Sequence, residues 1–289
     1  MRYYSLKSFL SDGGDALREG PVAIILVEDL IEVETTIRHH LHLGFKSVIV
    51  LAPEELELAE LTESQVHRVT CAVNEEAAML EAVNAICAAA PGLWFFYCYN
   101  AEYLFFPYCE TRSIGEMLSF HTEERRDAML TYVVDLYAGD LGEFPDAVTL
   151  EDAHLDRSGY YALGRHVAGN HHDMKERQLD FYGGLRWRFE EHVPAPRRRI
   201  DRVSLFRAQD SVTLLPGHVF SDEEYNTYAC RWHHNLTAAV ASFRTAKALR
   251  SNSGSRAAID TFKWHNSVPF DWHSQQLLDL GLMEPGQWF

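Results

Sequence analysis

The first hundred residues alternate between apolar runs and amphipathic segments. The run VAIILVE, at 22–28, predicts a strand, and the next segment has helical spacing and ends at Gly44, a residue typical of helix C-caps. A second strand is predicted at 46–52, which completes a parallel βαβ unit. A strand at 66–73, a helix capped by Asn74 and a strand in LWFFYCY follow. This order predicts an α/β half of the nucleotide-binding type.

The second half of the chain is less regular. Ser113 and Glu116 have capping-box spacing before a short helix, and TEERRDAMLTYVVDLYAG predicts an amphipathic helix that begins near Thr122. The segment 141–199 is rich in Gly, His, Asp and Arg with little periodicity, which indicates a site-forming insertion. A strand at 200–206, a second capping box in SDEE and a helix in NLTAAVASFRTAKALR precede a Trp-rich tail with two predicted short helices.

Composition narrows the class of partner. The chain has 289 residues and a formal net charge of -16, which opposes phosphate backbones, so we expect no nucleic-acid partner. Its five cysteines are scattered without a CxxC pair and predict reduced thiols. The N-terminal segment lacks the apolar region of a signal peptide, and no apolar run reaches the length of a membrane span. We therefore expect a cytoplasmic protein with no transmembrane segment.

The stretch WFFYCYNAEYLFFP, at 94–107, places a short polar tip at the end of a predicted buried strand. Six apolar or aromatic residues precede Asn100, and the tip holds a single carboxylate, Glu102. Ligands of parallel sheets collect where the strands end, so the tip predicts a ligand site. In the alternative interpretation, Glu102 caps a turn or pairs with a basic residue of the middle region. The sequence leaves both open.

Several segments, in the same order, resemble family-2-like glycosyltransferases. VEDLIEVETTIRHHLHLGFKSVIVL is similar to that family's opening, WFFYCYNAEYLFFP to its strand ending in Asp-x-Asp-Glu-Phe-Leu, and GGLRWRFEEHV, RVSLFR and CRWHHNL to later segments. Glu102, Tyr103 and Leu104 then take the places of Glu-Phe-Leu, whereas Tyr99 and Ala101 stand where the two aspartates should be. The resemblance implies a GT-A-like, Rossmann-like fold with a mixed, mostly parallel sheet flanked by helices.

The resemblance also implies how a nucleoside diphosphate sugar is held. Glu102, the Asn100 amide and His234 are predicted to bind Mn²⁺ or Mg²⁺ on the diphosphate, unless loss of the aspartates has left a metal-independent site. In the alternative, the backbone near the following helix satisfies His234. Glu28 and Asp29 are predicted to contact the nucleotide, although Asp29 is equally suited to cap the next helix.

The segment GGLRWRFEEHV contributes two further kinds of candidate. Arg186 and Arg188 are predicted to bind the diphosphate beside two glycines, or else to pair with Glu190 and Glu191. An inverting transfer needs a general base near the acceptor hydroxyl, and the candidates are Glu190, Glu191 and Asp180. The sequence does not choose among these three acids.

We predict a GT-A-like domain at 1–250 and a helical, Trp-rich extension at 251–289 that packs on the body, on a protein partner or on a second copy. Two functions fit this organisation. One is transfer of a sugar from a nucleoside diphosphate sugar to an unknown acceptor. The other is a catalytically inactive glycosyltransferase-fold module for binding or assembly. Loss of both aspartates favours the second; Glu102, an acid after the first strand and the Gly-Gly-Arg segment favour the first.

Overall fold

The fold is α/β, with a mostly parallel mixed sheet flanked by helices. A computed structural model describes residues 1–59, 63–167, 169–227 and 235–288, with the backbone alone at residues 170 and 171. The strands are β1 (Arg2–Tyr3), β2 (Val22–Leu26), β3 (Ser47–Ala52), β4 (Val66–Thr70), β5 (Trp94–Tyr99), β6 (Glu102–Phe105), β7 (Ala128–Ala138), β8 (Ala153–Asp156), β9 (Tyr161–Val167), β10 (Asn170–Tyr182), β11 (Asp201–Arg207), β12 (Leu214–Leu215), β13 (Val219–Phe220), β14 (Ala238–Ser242) and β15 (Ser267–Pro269).

The α-helices of the described residues connect or flank these strands. They are α1 (Leu6–Asp12), α2 (Val33–His42), α3 (Glu76–Ala88), α4 (Ile114–Glu123), α5 (Gly184–Arg188), α6 (Arg244–Ser251), α7 (Ser253–Ala258) and α8 (Ser274–Asp279). The chain divides into two compact units. Unit 1 comprises Met1–Tyr103, Thr111–Leu130 and Val203–Asn226, and unit 2 comprises Leu104–Glu110, Thr131–Arg202 and Thr227–Phe289.

Unit 1 contains the four parallel strands that the sequence predicts, β2 to β5, and a further parallel strand, β1, that it does not. Their order is β1-β4-β3-β2-β5, and each neighbouring pair is parallel. The chain passes outward from β2 through β3 to β4 and then returns to the other side of β2 as β5, so the strand order reverses between β2 and β5. Every residue of β2 is buried, because helical connections and loops cover both faces of the sheet. The predicted βαβ order is confirmed.

The helix boundaries of unit 1 follow local signals only in part. Gly44 adopts φ +96° just beyond the end of α2, as expected of a C-terminal glycine. Ser113 and Glu116 form the predicted capping box at the start of α4. The cap of α3 is Glu75 rather than the predicted Asn74. The predicted helix from Thr122 is wrong, because α4 ends there and the following apolar run forms strand β7.

Unit 2 holds most of β7, which pairs in parallel with β14 and antiparallel with β8. β15 pairs with the other edge of β8, and β9 and β10 form a separate antiparallel hairpin within the segment predicted as an insertion. The helix predicted over 235–250 is wrong in its first half, where β14 lies, and right in its second half, where α6 lies. A fully buried strand of small residues has no polar face, so its sequence resembles a buried helix.

The Trp-rich tail packs within unit 2. The Trp264 indole donates to the Asp156 carboxylate at 2.8 Å, and the Trp272 indole donates to the Leu150 carbonyl at 2.8 Å. The Trp288 ring lies 6.2 Å from the Phe106 ring, between centroids, and is largely buried. The two predicted short helices of the tail correspond to α7 and α8.

A buried histidine links the stability of unit 1 to pH. The His40 ring stacks on Phe96 with centroids 5.1 Å apart, and its Nδ1 lies 2.7 Å from the Thr36 carbonyl oxygen. Burial, and secondarily the neighbouring His39, lowers the pKa of His40 from 6.5 to about 3. Burial likewise lowers the pKa of His121 to about 4. The unfolded chain therefore takes up protons at these sites at a higher pH than the folded chain does.

We predict that the free energy of unfolding falls as the pH drops from about 6.5 toward 3, because only the unfolded chain protonates His40 in that window. Between pH 7 and 5 this histidine alone should account for about 2 kcal/mol. Urea unfolding at several pH values gives the free energy of unfolding as a function of pH. This free energy should depend less steeply on pH in His40→Gln than in wild type, whereas exposed His42→Gln should keep the wild-type pH dependence. Equal slopes in all three proteins would contradict the assignment.

Candidate functional site

The carboxyl ends of β2 and β5 in unit 1 are joined by one side chain. The fully buried Asn100 follows β5, and its Oδ1 accepts the Glu28 backbone N–H at 2.9 Å. Its Nδ2 donates to Asp29 Oδ1 at 2.7 Å and to the Ile31 carbonyl at 2.8 Å. Asp29 Oδ1 also accepts the Ile31 N–H, which closes a local turn. The loop after β2 is therefore held against the end of β5.

A second link joins the same loops through helix α2. The Ala101 N–H donates to Thr36 Oγ1 at 2.9 Å, and the Thr36 hydroxyl donates to the Glu32 carbonyl at 2.5 Å. Glu32 and Ala101 both adopt left-handed backbone conformations, with φ of 53° and 60°. Such conformations in residues other than glycine are strained, and they persist where surrounding contacts fix the chain. The two strained residues thus lie at the two ends of this hydrogen-bonded link.

Glu102, the acid of the polar tip, is fully buried. Its Oε2 accepts the Tyr99 backbone N–H at 2.8 Å across the turn after β5. This contact is the turn-capping interaction of the structural alternative.

The described members of the predicted metal set do not fit a divalent ion well. Asn100 uses its amide oxygen and its amide nitrogen to bind the β2 loop, and Glu102 holds a backbone N–H. The third predicted ligand, His234, lies outside the described residues. Within the described part of the chain, no group of three or more His, Cys, Asp or Glu side chains has metal-binding geometry. The metal assignment stays a prediction, and we base no chemical step on it.

The surface of this site carries carboxylates. Glu28, Asp29 and Glu32 are half-buried on the loop after β2, and Leu30 between them is exposed. Carboxylates accept hydrogen bonds from hydroxyl and N–H groups but repel phosphate oxygens. The loop therefore suits the ribose hydroxyls or base of a nucleoside better than it suits a diphosphate.

Comparison of the sequence with protein-family models finds no match, and comparison with curated proteins finds none either. No helix in the described ranges combines the length and the apolar character needed to cross a membrane.

The two predicted diphosphate ligands lie in unit 2 and make internal contacts. The Arg188 guanidinium donates to both oxygens of the buried Asp156 at 3.0 and 3.2 Å, and to the Phe262 carbonyl at 2.6 Å. It also lies 4.5 Å from the centroid of the Trp264 ring, a cation–π geometry. These bonds of Arg188 do not involve its predicted partners, Glu190 and Glu191.

Arg186 contacts a second buried acid, Asp135. Its Nε lies 3.4 Å from Asp135 Oδ1, and its backbone N–H donates to Oδ2 at 3.3 Å. The guanidinium also donates to the Thr245 hydroxyl at 3.0 Å and to the Arg199 carbonyl at 2.7 Å. Burial raises the pKa of Asp135, and the adjacent Arg186 opposes that rise. Both arginines thus act first as counter-charges for buried carboxylates.

The three predicted general bases, also in unit 2, are dispersed. Asp180 Oδ1 accepts from Arg165 at 2.7 Å and from Arg199 at 3.2 Å. Glu190 receives a hydrogen bond from Arg198 at 3.1 Å. Glu191 is mostly exposed, 3.8 Å from the His192 ring nitrogen. None of these contacts joins two of the three acids, so the choice of base stays open.

Sequence reasoning missed three residues that build these sites. Thr36 resembles any helix-interior threonine, and nothing in its sequence context indicates the bond from Ala101. Asp135 lies inside a segment predicted as a helix, and Asp156 lies inside the segment predicted as an insertion. Neither belongs to a recognisable motif. The usable signal for Asp156 in the sequence is the turn-forming pair Ser158 and Gly159 shortly after it, which is typical of the end of a strand.

We predict that Arg188→Met strongly destabilises the protein, because it leaves the buried Asp156 carboxylate without its counter-charge. Breaking such a pair costs about 3 to 5 kcal/mol. The matched control is Arg38→Met, which removes an exposed pair with Glu34 and should cost less than about 1 kcal/mol. Urea unfolding measures both, and similar losses in the two variants would show that the Asp156 pair is not special.

Proposed function

We propose that unit 1 binds the nucleoside part of a nucleoside diphosphate sugar at the loops after β2 and β5, and that the chain transfers the sugar to an acceptor. The observation that supports this function most directly is the Asn100 side chain, which fixes the β2 loop at the point where strand order reverses. In open α/β sheets, ligands bind at the carboxyl ends of the strands at such a reversal.

Preorganisation is the physical advantage of this arrangement. Asn100 and Thr36 hold the backbone of the β2 loop before any ligand arrives, so binding does not have to order it. Asp29 is already oriented by two hydrogen bonds to one of its oxygens. A ribose hydroxyl would donate to this acidic loop, and hydroxyl recognition of this kind distinguishes a nucleoside from an inorganic phosphate.

Sugar transfer itself rests on the resemblance to family-2-like glycosyltransferases. Transfer forms a bond from an acceptor oxygen to the anomeric carbon, breaks the bond from that carbon to the diphosphate, and moves the acceptor proton to a base. Glu190 and Glu191 have the more exposed carboxylates among the three predicted bases, whereas Asp180 already accepts from two arginines. The exposed pair is therefore the better candidate for that proton.

A second candidate function is binding without catalysis, as a module that retains the fold. The observation that favours it is the internal use of Glu102, Arg186 and Arg188, three residues predicted to hold metal and diphosphate. A nucleotide would still bind at the β2 loop, but nothing would stabilise the leaving diphosphate through these side chains. Turnover separates the two candidates, because both predict nucleotide binding.

We predict that Asp29→Asn weakens nucleoside diphosphate binding about tenfold, because it removes charge while keeping an oxygen for the Ile31 and Asn100 donors. Calorimetry with UDP, GDP, ADP and their glucose conjugates measures the change. The control is Glu34→Gln on α2, an exposed acid that pairs with Arg38 and should leave affinity unchanged. Equal affinity in wild type and Asp29→Asn, or no binding of any of these nucleotides, would refute the nucleoside site.

Glu102→Gln decides between the capping and metal interpretations of the polar tip. We expect a loss of about 1 to 3 kcal/mol in the free energy of unfolding, because the buried amide gains N–H groups and holds the Tyr99 N–H less strongly. We expect no change in the effect of Mn²⁺ on nucleotide affinity. Calorimetry with and without Mn²⁺ provides the measurement, and a Mn²⁺ effect that disappears in the variant would restore Glu102 as a metal ligand.

A further inference from the structure

Unit 2 carries an aromatic surface at the base of the β9–β10 hairpin, formed by Tyr161, Tyr182 and Trp187. Tyr161 and Tyr182 are cross-strand partners, and their rings stack with centroids 5.2 Å apart and planes 20° apart. Tyr161 is 43% exposed, and Trp187 on α5 is 40% exposed. Exposed rings of this size are uncommon in clusters, and they offer a firm contact area because few torsions need to be fixed.

Two glycines bring Trp187 next to the tyrosine pair. A Cβ on Gly159, whose φ is +96°, would lie 3.3 Å from the Trp187 ring. The Tyr160 ring packs directly on Gly183, so a side chain there would collide with it. Gly159 lies two positions before Tyr161, and two residues of extended chain span about 7 Å, so Trp187 lies near the end of β9 that carries Tyr161.

Fixed polar groups border the tyrosine pair. Tyr182 forms an antiparallel bridge with Arg199, whose guanidinium donates to Asp180 Oδ1 at 3.2 Å. Arg165 donates to the same carboxylate at 2.7 Å. Burial, and then the charge of Asp180, raises the pKa of Tyr182, so its phenol stays neutral near pH 7. A neutral phenol both donates and accepts hydrogen bonds.

We propose that this aromatic surface binds the pyranose rings of an oligosaccharide. A pyranose has an apolar C–H face that packs flat on an aromatic ring, and a rim of hydroxyls that bond to planar carboxylate and guanidinium groups. The surface supplies both kinds of group side by side. A phosphodiester ligand is disfavoured by the net charge of -16. A protein partner would instead use the exposed aliphatic side chain of Met174, which lies farther along the hairpin opposite His166.

Oligosaccharide binding at this surface is independent of the nucleotide site in unit 1. The binding itself is measured without any nucleotide. A failure of one proposal is therefore distinguishable from a failure of the other.

The test is calorimetry of the full chain with hexasaccharides of glucose, N-acetylglucosamine and mannose. We expect at least one to bind, and Trp187→Ala and Tyr161→Ala each to weaken that binding by at least about fivefold, the effect of losing one stacked ring. Trp187→Phe keeps a ring and should recover most of the affinity. The matched control, Met174→Ala, removes an exposed aliphatic group farther along the same hairpin and should leave the affinity unchanged.

Three results would overturn the proposal. The first is no binding of any of these hexasaccharides by the folded wild-type chain. The second is an equal loss of affinity in Met174→Ala and Trp187→Ala, which would mark a general apolar surface. The third is a concentration-dependent mass in solution that is abolished by Leu163→Ala or Met174→Ala while no hexasaccharide binds, which would assign the hairpin to a contact between copies of the chain. Nucleotide titration of Trp187→Ala, expected to match wild type, confirms that unit 1 is intact.

Discussion

The candidate site depends on one buried amide. Asn100 makes three hydrogen bonds to a loop that lies about seventy positions earlier in the sequence, at Glu28, Asp29 and Ile31. An amide carries a donor and an acceptor on the same rigid plane, so it satisfies a backbone N–H, a backbone carbonyl and a carboxylate together. Aspartate has no donor for the Ile31 carbonyl, and an aliphatic residue would remove the partner that Asn100 gives to the Glu28 N–H, the Ile31 carbonyl and Asp29. The geometry of the β2 loop follows from this side chain.

The two units differ in where their acidic side chains lie and in what neutralises them. The β2 loop of unit 1 carries three half-buried acidic residues, Glu28, Asp29 and Glu32, without an arginine between them. Unit 2 buries Asp135 and Asp156 and neutralises each with an arginine from α5. Buried pairs of this kind add little net stability, but the loss of one partner is costly, so they fix which conformation the segment adopts. Arg186 and Arg188 therefore position α5 whether or not they also meet a ligand.

Sequence patterns predicted the parallel strands of unit 1 because long apolar runs bounded by glycine, proline and polar residues have few alternative structures. They failed at β7 and β14, where a buried apolar run has no polar face to reveal its period. The proximity of Asn100 to Asp29 could be anticipated, since the carboxyl ends of neighbouring parallel strands meet at one edge. The individual hydrogen bonds could not be anticipated, because strand pairing sets the spacing of the backbones but not the side-chain rotamers. The partners of Arg186 and Arg188 were also beyond prediction, since Asp135 and Asp156 are distant in sequence.

The short helix α5 carries side chains with opposite surroundings on successive residues. Arg186 and Arg188 point to buried acids, and Trp187 between them is partly exposed. The same five residues therefore connect the interior charges of unit 2 with its aromatic surface. A ligand that restrains Trp187 would also restrain the two ion pairs, since all three side chains share one backbone segment. Occupancy of the aromatic surface and the local unfolding of α5 are thus thermodynamically linked, and hydrogen exchange at α5 would report ligand binding even in the absence of any reaction.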